Sequence, residues 1–300
     1  MAAPARTLEL GSPWLSQEQS RRIDTIWRLA RQKYLGAISL VVLVVFVFTA
    51  AAATFVAPYD PVAVDTAISL QAPSAAHLFG TDELGRDLFS RVIYGARVSL
   101  VVGLGSVAIG VLFGVFLGIT SAYFGGRYDL IVQRFIDALQ SFPSLVLAMV
   151  IVATLGSSVF HVTLAIAITM IATKTRVIRG AALSLKQNSY VEAARVIGAS
   201  HAHIMMRYIL PNAWAPIIVL ASATLGQAII REASLSFLGL GPPPPNPTWG
   251  GMLSGSARSF MSTAQWMVIF PGLAITTIVL AFNLLGDTIR DVMDPRLKHR

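Results

Sequence analysis

Side chains able to do chemistry are few in this sequence. There is no cysteine, which removes thiolate nucleophiles, thiolate metal sites and disulfides together. Of the five histidines (His77, His161, His201, His203 and His299), only His201 and His203 lie close together. Two imidazoles without a third ligand make a poor metal site, so solvated or interface positions suit them better. No G-x-x-x-x-G-K-[ST] phosphate loop and no H-E-x-x-H helix occurs. What remains are charged groups beside apolar runs, namely Asp137, Arg231 and Glu232. Placing such a group in a bilayer costs at least ~2.5 kcal/mol. Each is therefore a candidate for a pathway or gate, or for interhelical hydrogen bonding. Arg231 and Glu232 are neighbours in sequence and need not face each other on a helix. No set of catalytic groups converges, so the chemistry on offer is non-covalent.

The densest pattern lies in 189–211. Ser189 and Glu192 have the spacing of a capping box, in which hydroxyl and carboxylate satisfy one another's backbone amides. Ala193 and Ala194 favour helix. Gly198 can take the left-handed conformation that ends one. Ser200 can start a second helix, expected to stop before Pro211 because the residue preceding a proline is pushed out of the α region. The segment predicts a short capped helix, a glycine turn and a second helix: a rigid protrusion, or an ordinary connector.

The elements that must carry these residues are set by hydropathy. Hydrophobic residues make up 55% of the 300 residues and charged ones 13%. A soluble domain carries roughly 25% charge, so a large soluble enzyme is excluded. Six apolar stretches predict an all-α membrane protein with six transmembrane helices: Gly36–Ala57, Val98–Tyr123, Phe135–Val159, Val162–Val177, Ala213–Ile230 and Trp266–Leu285. The fourth is short and runs into Lys174 and Arg176. The first is too long for the ~7–15-residue apolar region of a cleavable signal and fits the ~20 residues of a span. Most of the 23 Lys and Arg fall in the first 35 residues, the connections after the second and fourth spans, and the tail. That bias predicts both termini in the cytoplasm. It also accounts for the net charge of +8 without any nucleic-acid partner.

Two outer connections carry patterns of their own. After Thr81, a candidate N-cap, the apolar residues Leu84, Leu88, Phe89, Val92 and Ile93 recur at helical spacing among Asp82, Glu83, Arg86, Asp87 and Arg91. This predicts an amphipathic surface helix over 82–97. The run Pro242 to Pro245, followed by Asn246 and Pro247, predicts a semi-rigid extended strut. Within the second span, Gly110, Gly114 and Gly118 make a side-chain-free stripe suited to close packing by another helix.

These residues also carry a family resemblance. Glu192-Ala193-Ala194, Gly198 and Ile209-Leu210-Pro211 resemble the EAA signature of ABC importer permeases, E-A-A-x3-G followed after ten residues by I-x-L-P, although the residue between Ile and Leu is absent here. His77-Leu78-Phe79-Gly80-Thr81-Asp82-Glu83-Leu84-Gly85-Arg86-Asp87 with Ser90-Arg91 resembles the G-T-D-x-x-G-R-D-x-x-S-R block of the dipeptide/oligopeptide/nickel branch. Tyr123-Phe124-Gly125-Gly126, Asp137, Phe142-Pro143-Ser144, the run Glu232 to Gly241, Asn283-Leu284-Leu285-Gly286-Asp287 and Asp294-Pro295-Arg296 are similar to the same branch. The resemblance spans residues 77–297 and points to the C-type transmembrane subunit.

It implies a multi-pass protein of the bacterial cytoplasmic membrane with a type I ABC importer permease fold. The chain would divide into a cytoplasmic segment 1–35, a first span with outer segment 36–97, a transmembrane domain 98–287 with coupling loop 179–212, and a tail 288–300. The resemblance implies that Ser189, Tyr190, Glu192, Ala193, Ala194, Arg195, Gly198, Ala199 and Ser200 form the coupling helix that sits in a cleft of the ATPase. The implied partners are a homologous second permease, two ATPase subunits carrying ATP and Mg, an extracytoplasmic substrate-binding protein and the lipid bilayer. No cofactor is implied for this chain. Asp82, Arg86, Asp87, Pro242, Pro243 and Trp249 are candidates for contact with the binding protein. The cargo implied is a dipeptide or oligopeptide, with nickel, glutathione or another small solute of the branch as alternatives. A passive channel would not need a rigid protrusion, and a membrane-embedded enzyme would need catalytic groups that the sequence does not supply.

Overall fold

A computed structural model describes residues 34–293. The basic segment 1–33 and residues 294–300, with Asp294-Pro295-Arg296, lie outside them. The regular structure of the described residues is helical, with one isolated bridge, Thr81 to Asp87, and no strands.

The helices are α1 (Tyr34–Ala51, with a further turn Ala53–Val56), α2 (Leu88–Phe124), α3 (Gly126–Gln140), α4 (Ser144–Leu155), α5 (Val159–Lys186), α6 (Ser189–Val196), α7 (His201–Ile204), α8 (Trp214–Phe237), α9 (Trp249–Leu253) and α10 (Trp266–Met293). α1, α2, α5, α8 and α10 are long and apolar enough to cross a membrane; α3 and α4, bent by 88°, together make a sixth candidate. The all-α membrane fold expected from hydropathy is therefore present.

Three boundaries differ from the expectation, each for a local reason. The third stretch is an elbow, not a straight span. Pro143 precedes α4 with no amide to donate and pushes Phe142 out of the helical region, so α3 ends at Gln140. The fourth span is not short. Lys174 is buried, with its ammonium 3.5 Å from the Leu220 carbonyl, and Arg176 donates to Asp137, so neither charge ends α5. The predicted surface helix over 82–97 does not form; the chain turns at 81–87 and enters α2 at Leu88.

The glycine stripe does what its spacing predicts. A Cβ on Gly114 would collide with Cβ of Lys174, and one on Gly118 would lie 2.9 Å from the Thr175 carbonyl oxygen. Gly110 faces Met170 and the Ala167 carbonyl. The α2 backbone therefore lies directly on α5, making the helix pair at the centre of the bundle. α8 packs on α2 and α10, and α1 packs on α10.

Residues 57–87 and 238–265 fold over the end of the bundle away from α6. Asp82 organises this cap. Its Oδ1 accepts from the amides of Leu84 and Arg86 at 2.9 Å, and its Oδ2 pairs with Arg86 at 2.7 Å and Arg91 at 3.4 Å. Asp87, rather than Thr81, caps α2: its Oδ2 accepts from the Ser90 amide and hydroxyl, while Oδ1 lies 3.0 Å from Nδ1 of His77. Thr81 instead donates to the Ile68 carbonyl and accepts from the Gln71 amide. Trp266 Nε1 donates to the Thr81 carbonyl and Trp249 Nε1 to the Val92 carbonyl. The G-T-D-x-x-G-R-D block thus builds a scaffold.

Candidate functional site

At the other end of the bundle, α6 and α7 form the protrusion. α6 begins after Asn188 and ends in a Schellman motif. The Gly198 amide bonds to the Arg195 carbonyl and the Ala199 amide to the Ala194 carbonyl, both at 3.0 Å. Gly198 has φ +76°, and a Cβ there would meet nothing within 4 Å, so backbone conformation alone demands glycine. Ser200 caps α7, accepting from the His203 amide.

Two details depart from the sequence reading. The capping box is not made: Ser189 is already inside α6, and the Glu192 amide bonds to the Asn188 carbonyl at 3.3 Å. Nor does the second helix stop before Pro211. A π-helical turn, Met205–Ile209, follows α7 and leads through Leu210–Asn212 into α8. The Leu210 amide reaches back to Met205. That wider turn shifts the hydrogen-bond ladder ahead of a residue that has no N–H.

The protrusion has two faces. Val191 and Ala194 are buried against Ile204 and Ile209. Glu192, Ala193 and Arg195 face outward, while Tyr190 is 39% exposed, Val196 82% and Ile197 78%. Val196 and Ile197 are not among the expected contact residues. Their signal is two β-branched apolar residues just before the glycine turn of an otherwise polar, solvent-facing stretch.

The knob is tied to the end of α2. The Tyr123 hydroxyl lies 2.8 Å from Nδ1 of His201. Lys186 donates to the Ala122 carbonyl at 3.1 Å. The Tyr123 ring takes the Lys186 ammonium 5.9 Å and the Arg195 guanidinium 5.4 Å from its centroid. Arg179 of α5 pairs in two bonds, at 2.7 and 2.5 Å, with Asp129 of α3. α2, α3, α5 and α6 are thereby tied together at this end.

The other expected site residues are dispersed. Asp137 lies at the elbow, half-exposed between Arg134 and Arg176. Arg231 and Glu232 face different ways. Arg231 donates to Thr169 of α5 at 3.3 Å, whereas Glu232 is buried and accepts from Ser99 at 2.8 Å and Ser236 at 2.7 Å. Asp82, Asp87, Pro242 and Trp249 are buried within the cap, and Arg86 is turned onto Asp82. These expected outer contacts are therefore internal. Pro243, Pro244, Pro245 and Asn246 are exposed. The proline run bends instead of extending as a strut: it turns at 244–245, and the Asn246 side-chain amide donates back to the Pro243 carbonyl at 3.4 Å. It borders a cavity of about 320 Å³ that is also lined by Glu83 and Arg86.

Comparison with known proteins gives a consistent set. The family described as "Binding-protein-dependent transport system inner membrane component" matches residues 110–299, and "N-terminal TM domain of oligopeptide transport permease C" matches residues 22–73. The chain is 40% identical to the "Dipeptide transport system permease protein DppC" of Alkalihalophilus pseudofirmus, over 99% of this chain and 98% of that one. It is 42% identical to a "Putative peptide transport system permease protein" of Brucella suis, over 91% of this chain and 92% of that one. It is 43% identical to the "Glutathione transport system permease protein GsiD" of Escherichia coli, over 91% and 90%. A crystal structure of an amino acid ABC transporter with histidines shares the fold, with TM-score 0.51 and 20% identity, over 68% of this chain and 95% of that one.

Proposed function

This chain belongs to the binding-protein-dependent transport system inner membrane components, and we propose that it is the C-type permease of an ATP-driven importer for dipeptides or short oligopeptides. It supplies half of the pathway, and a homologous permease supplies the other half. Two ATPase subunits, carrying ATP and Mg, dock at the α6 end, and a binding protein delivers solute at the cap. The Lys and Arg distribution supports a cytoplasmic side for α6 and both termini. The peptide reading is supported by the dipeptide and peptide permeases it resembles; the glutathione permease fits the alternative of another small solute of the same branch.

The observation that carries this reading is the tip of the knob. Val196 and Ile197 are exposed apolar side chains at the end of a helix otherwise fixed by buried contacts and by Arg195 over the Tyr123 ring. Such a tip suits an apolar socket in a soluble partner. Closure of the ATPase pair on ATP would then move α6 as a rigid lever, and the bundle would shift between outward- and inward-facing populations. Glu83 and the exposed Pro243, Pro244 and Pro245 at the outer cavity are the residues left to receive the binding protein.

The test is ATP-driven uptake of a dipeptide by the assembled complex in vesicles. Replacing Val196 and Ile197 together by glutamate should abolish both uptake and its coupling to hydrolysis. Undiminished coupled uptake would remove the knob from the mechanism, and uptake by the native complex without ATP would favour a channel.

A further inference from the structure

Lys174 and Arg231 face one another's helices across the seam between α5 and α8. Lys174, on α5, extends its ammonium to the Leu220 carbonyl of α8, 3.5 Å away. Arg231, on α8, reaches Thr169 of α5 at 3.3 Å. Among the described residues neither has a carboxylate within ion-pair distance, and each is held instead by an uncharged oxygen of the facing helix. Glu232 does not compensate them, because its carboxylate is turned away from Arg231 onto Ser99 and Ser236.

The seam is polar where lipid contact would require it to be apolar. Thr224, Gln227, Arg231 and Ser234 share one face of α8 at spacings of three and four residues. Gln227 is exposed, and among the described residues its amide has no hydrogen-bond partner. Depth matters as well. Lys174 is about 23 Å from the Val159 end of α5 and about 18 Å from its Lys186 end at 1.5 Å per residue. Lys174 thus lies near the middle of α5 along its length. Two cations held along this seam without a counter-charge are electrostatically incomplete, and an anion entering the seam would relieve both.

We propose that the α5–α8 seam is a transit subsite for the carboxylate of a peptide, with Arg231 and Gln227 touching it and Lys174 adding a second positive charge from behind. This rests on the importer reading above. It adds that the permease itself, and not only the binding protein, selects for a negatively charged terminus.

The experiment is ATP-driven uptake of radiolabelled dialanine by the assembled transporter and its binding protein in phosphatidylcholine vesicles. Gel filtration checks that each variant assembles. No uptake by the native complex refutes the dipeptide cargo on which this proposal rests. With native uptake present, Arg231→Gln should lower it at least about tenfold, the weight of one charge-assisted hydrogen bond. Arg231→Lys should retain most of it. Equal uptake by Arg231→Gln and the native complex overturns the subsite, as does equal failure of the Lys and Gln variants, because charge would then not be what matters. A difference that appears only when phosphatidylglycerol is added also overturns it, in favour of a lipid headgroup. Should Arg231→Gln not assemble, Gln227→Glu on the exposed face carries the test. A resident carboxylate beside Arg231 should compete with the peptide and reduce uptake by a similar factor, and undiminished uptake refutes the proposal.

Discussion

The Tyr123 hydroxyl, on the last turn of α2, lies 2.8 Å from Nδ1 of His201, the first residue of α7. One hydrogen bond thus joins the end of a central span to the element that carries the knob. Lys186 and Arg195 bring their charges to the same ring.

Tyr123→Phe keeps the ring and removes only the hydroxyl. It should weaken the attachment by about 1 kcal/mol, with the bundle intact. Tyr123→Ala removes the ring contacts as well and should do more harm. The quantity to measure is solute moved per ATP hydrolysed by the assembled complex. It should fall from native to Phe to Ala, and equal ratios for all three would disprove the anchoring role.

Gly198 tests the knob from within. Its φ of +76° is unfavourable for any residue with a Cβ, although the space around it is empty. Gly198→Ala should therefore cost about 1–2 kcal/mol of local stability through backbone strain alone. Gly198→Asn should cost less, since asparagine tolerates this region better. Protease sensitivity of the 196–200 turn reads the effect: faster cleavage for Ala than for Asn, and slowest for the native chain.

How far the sequence discloses this arrangement depends on whether the signal is local. Gly198 and the Gly110, Gly114, Gly118 stripe are readable because a missing side chain has direct local consequences: a permitted φ in one case, a flat helix face in the other. Thr81 misleads because amphipathic spacing over 82–93 looks the same whether Asp82 starts a helix or, as found, accepts the amides of Leu84 and Arg86 in a turn. The elbow is hidden because hydropathy averages across Pro143, whose effect on the helix outweighs the apolar residues around it. The π-turn before Pro211 and the pairing of Lys174 with α8 depend on contacts between elements, which spacing alone does not encode.

Two glycines of the α2–α5 region should respond oppositely to alanine. At Gly114 the new methyl would overlap Cβ of Lys174 and stand 3.3 Å from backbone atoms, so the helices must separate. Gly114→Ala should destabilise by about 1–3 kcal/mol, as overpacked cores do. Gly180 lies within α5 with nothing inside 4 Å. Gly180→Ala should stabilise the isolated chain by about 0.5–1 kcal/mol through reduced unfolded-state freedom. Thermal unfolding in detergent should move down for the first variant and up for the second; movement in the same direction would contradict the packing described.

Glu232 closes a different contact, between α8 and α2. Its two oxygens take the hydroxyls of Ser236, one turn along the same helix, and Ser99 across the interface. The carboxylate is fully buried, so its value lies in joining the helices and not in meeting solvent. Glu232→Gln retains the shape, with its oxygen accepting from one serine and its NH2 donating to the hydroxyl of the other, and should shift stability little. Glu232→Leu leaves Ser99 without its cross-helix partner and should cost about 1–3 kcal/mol. The decisive measurement is a double-mutant cycle. If the pair acts as a unit, Ser99→Ala should cost much less in the Glu232→Leu background than in the native one. Strictly additive losses would mean that Glu232 stabilises the bundle through some route other than Ser99.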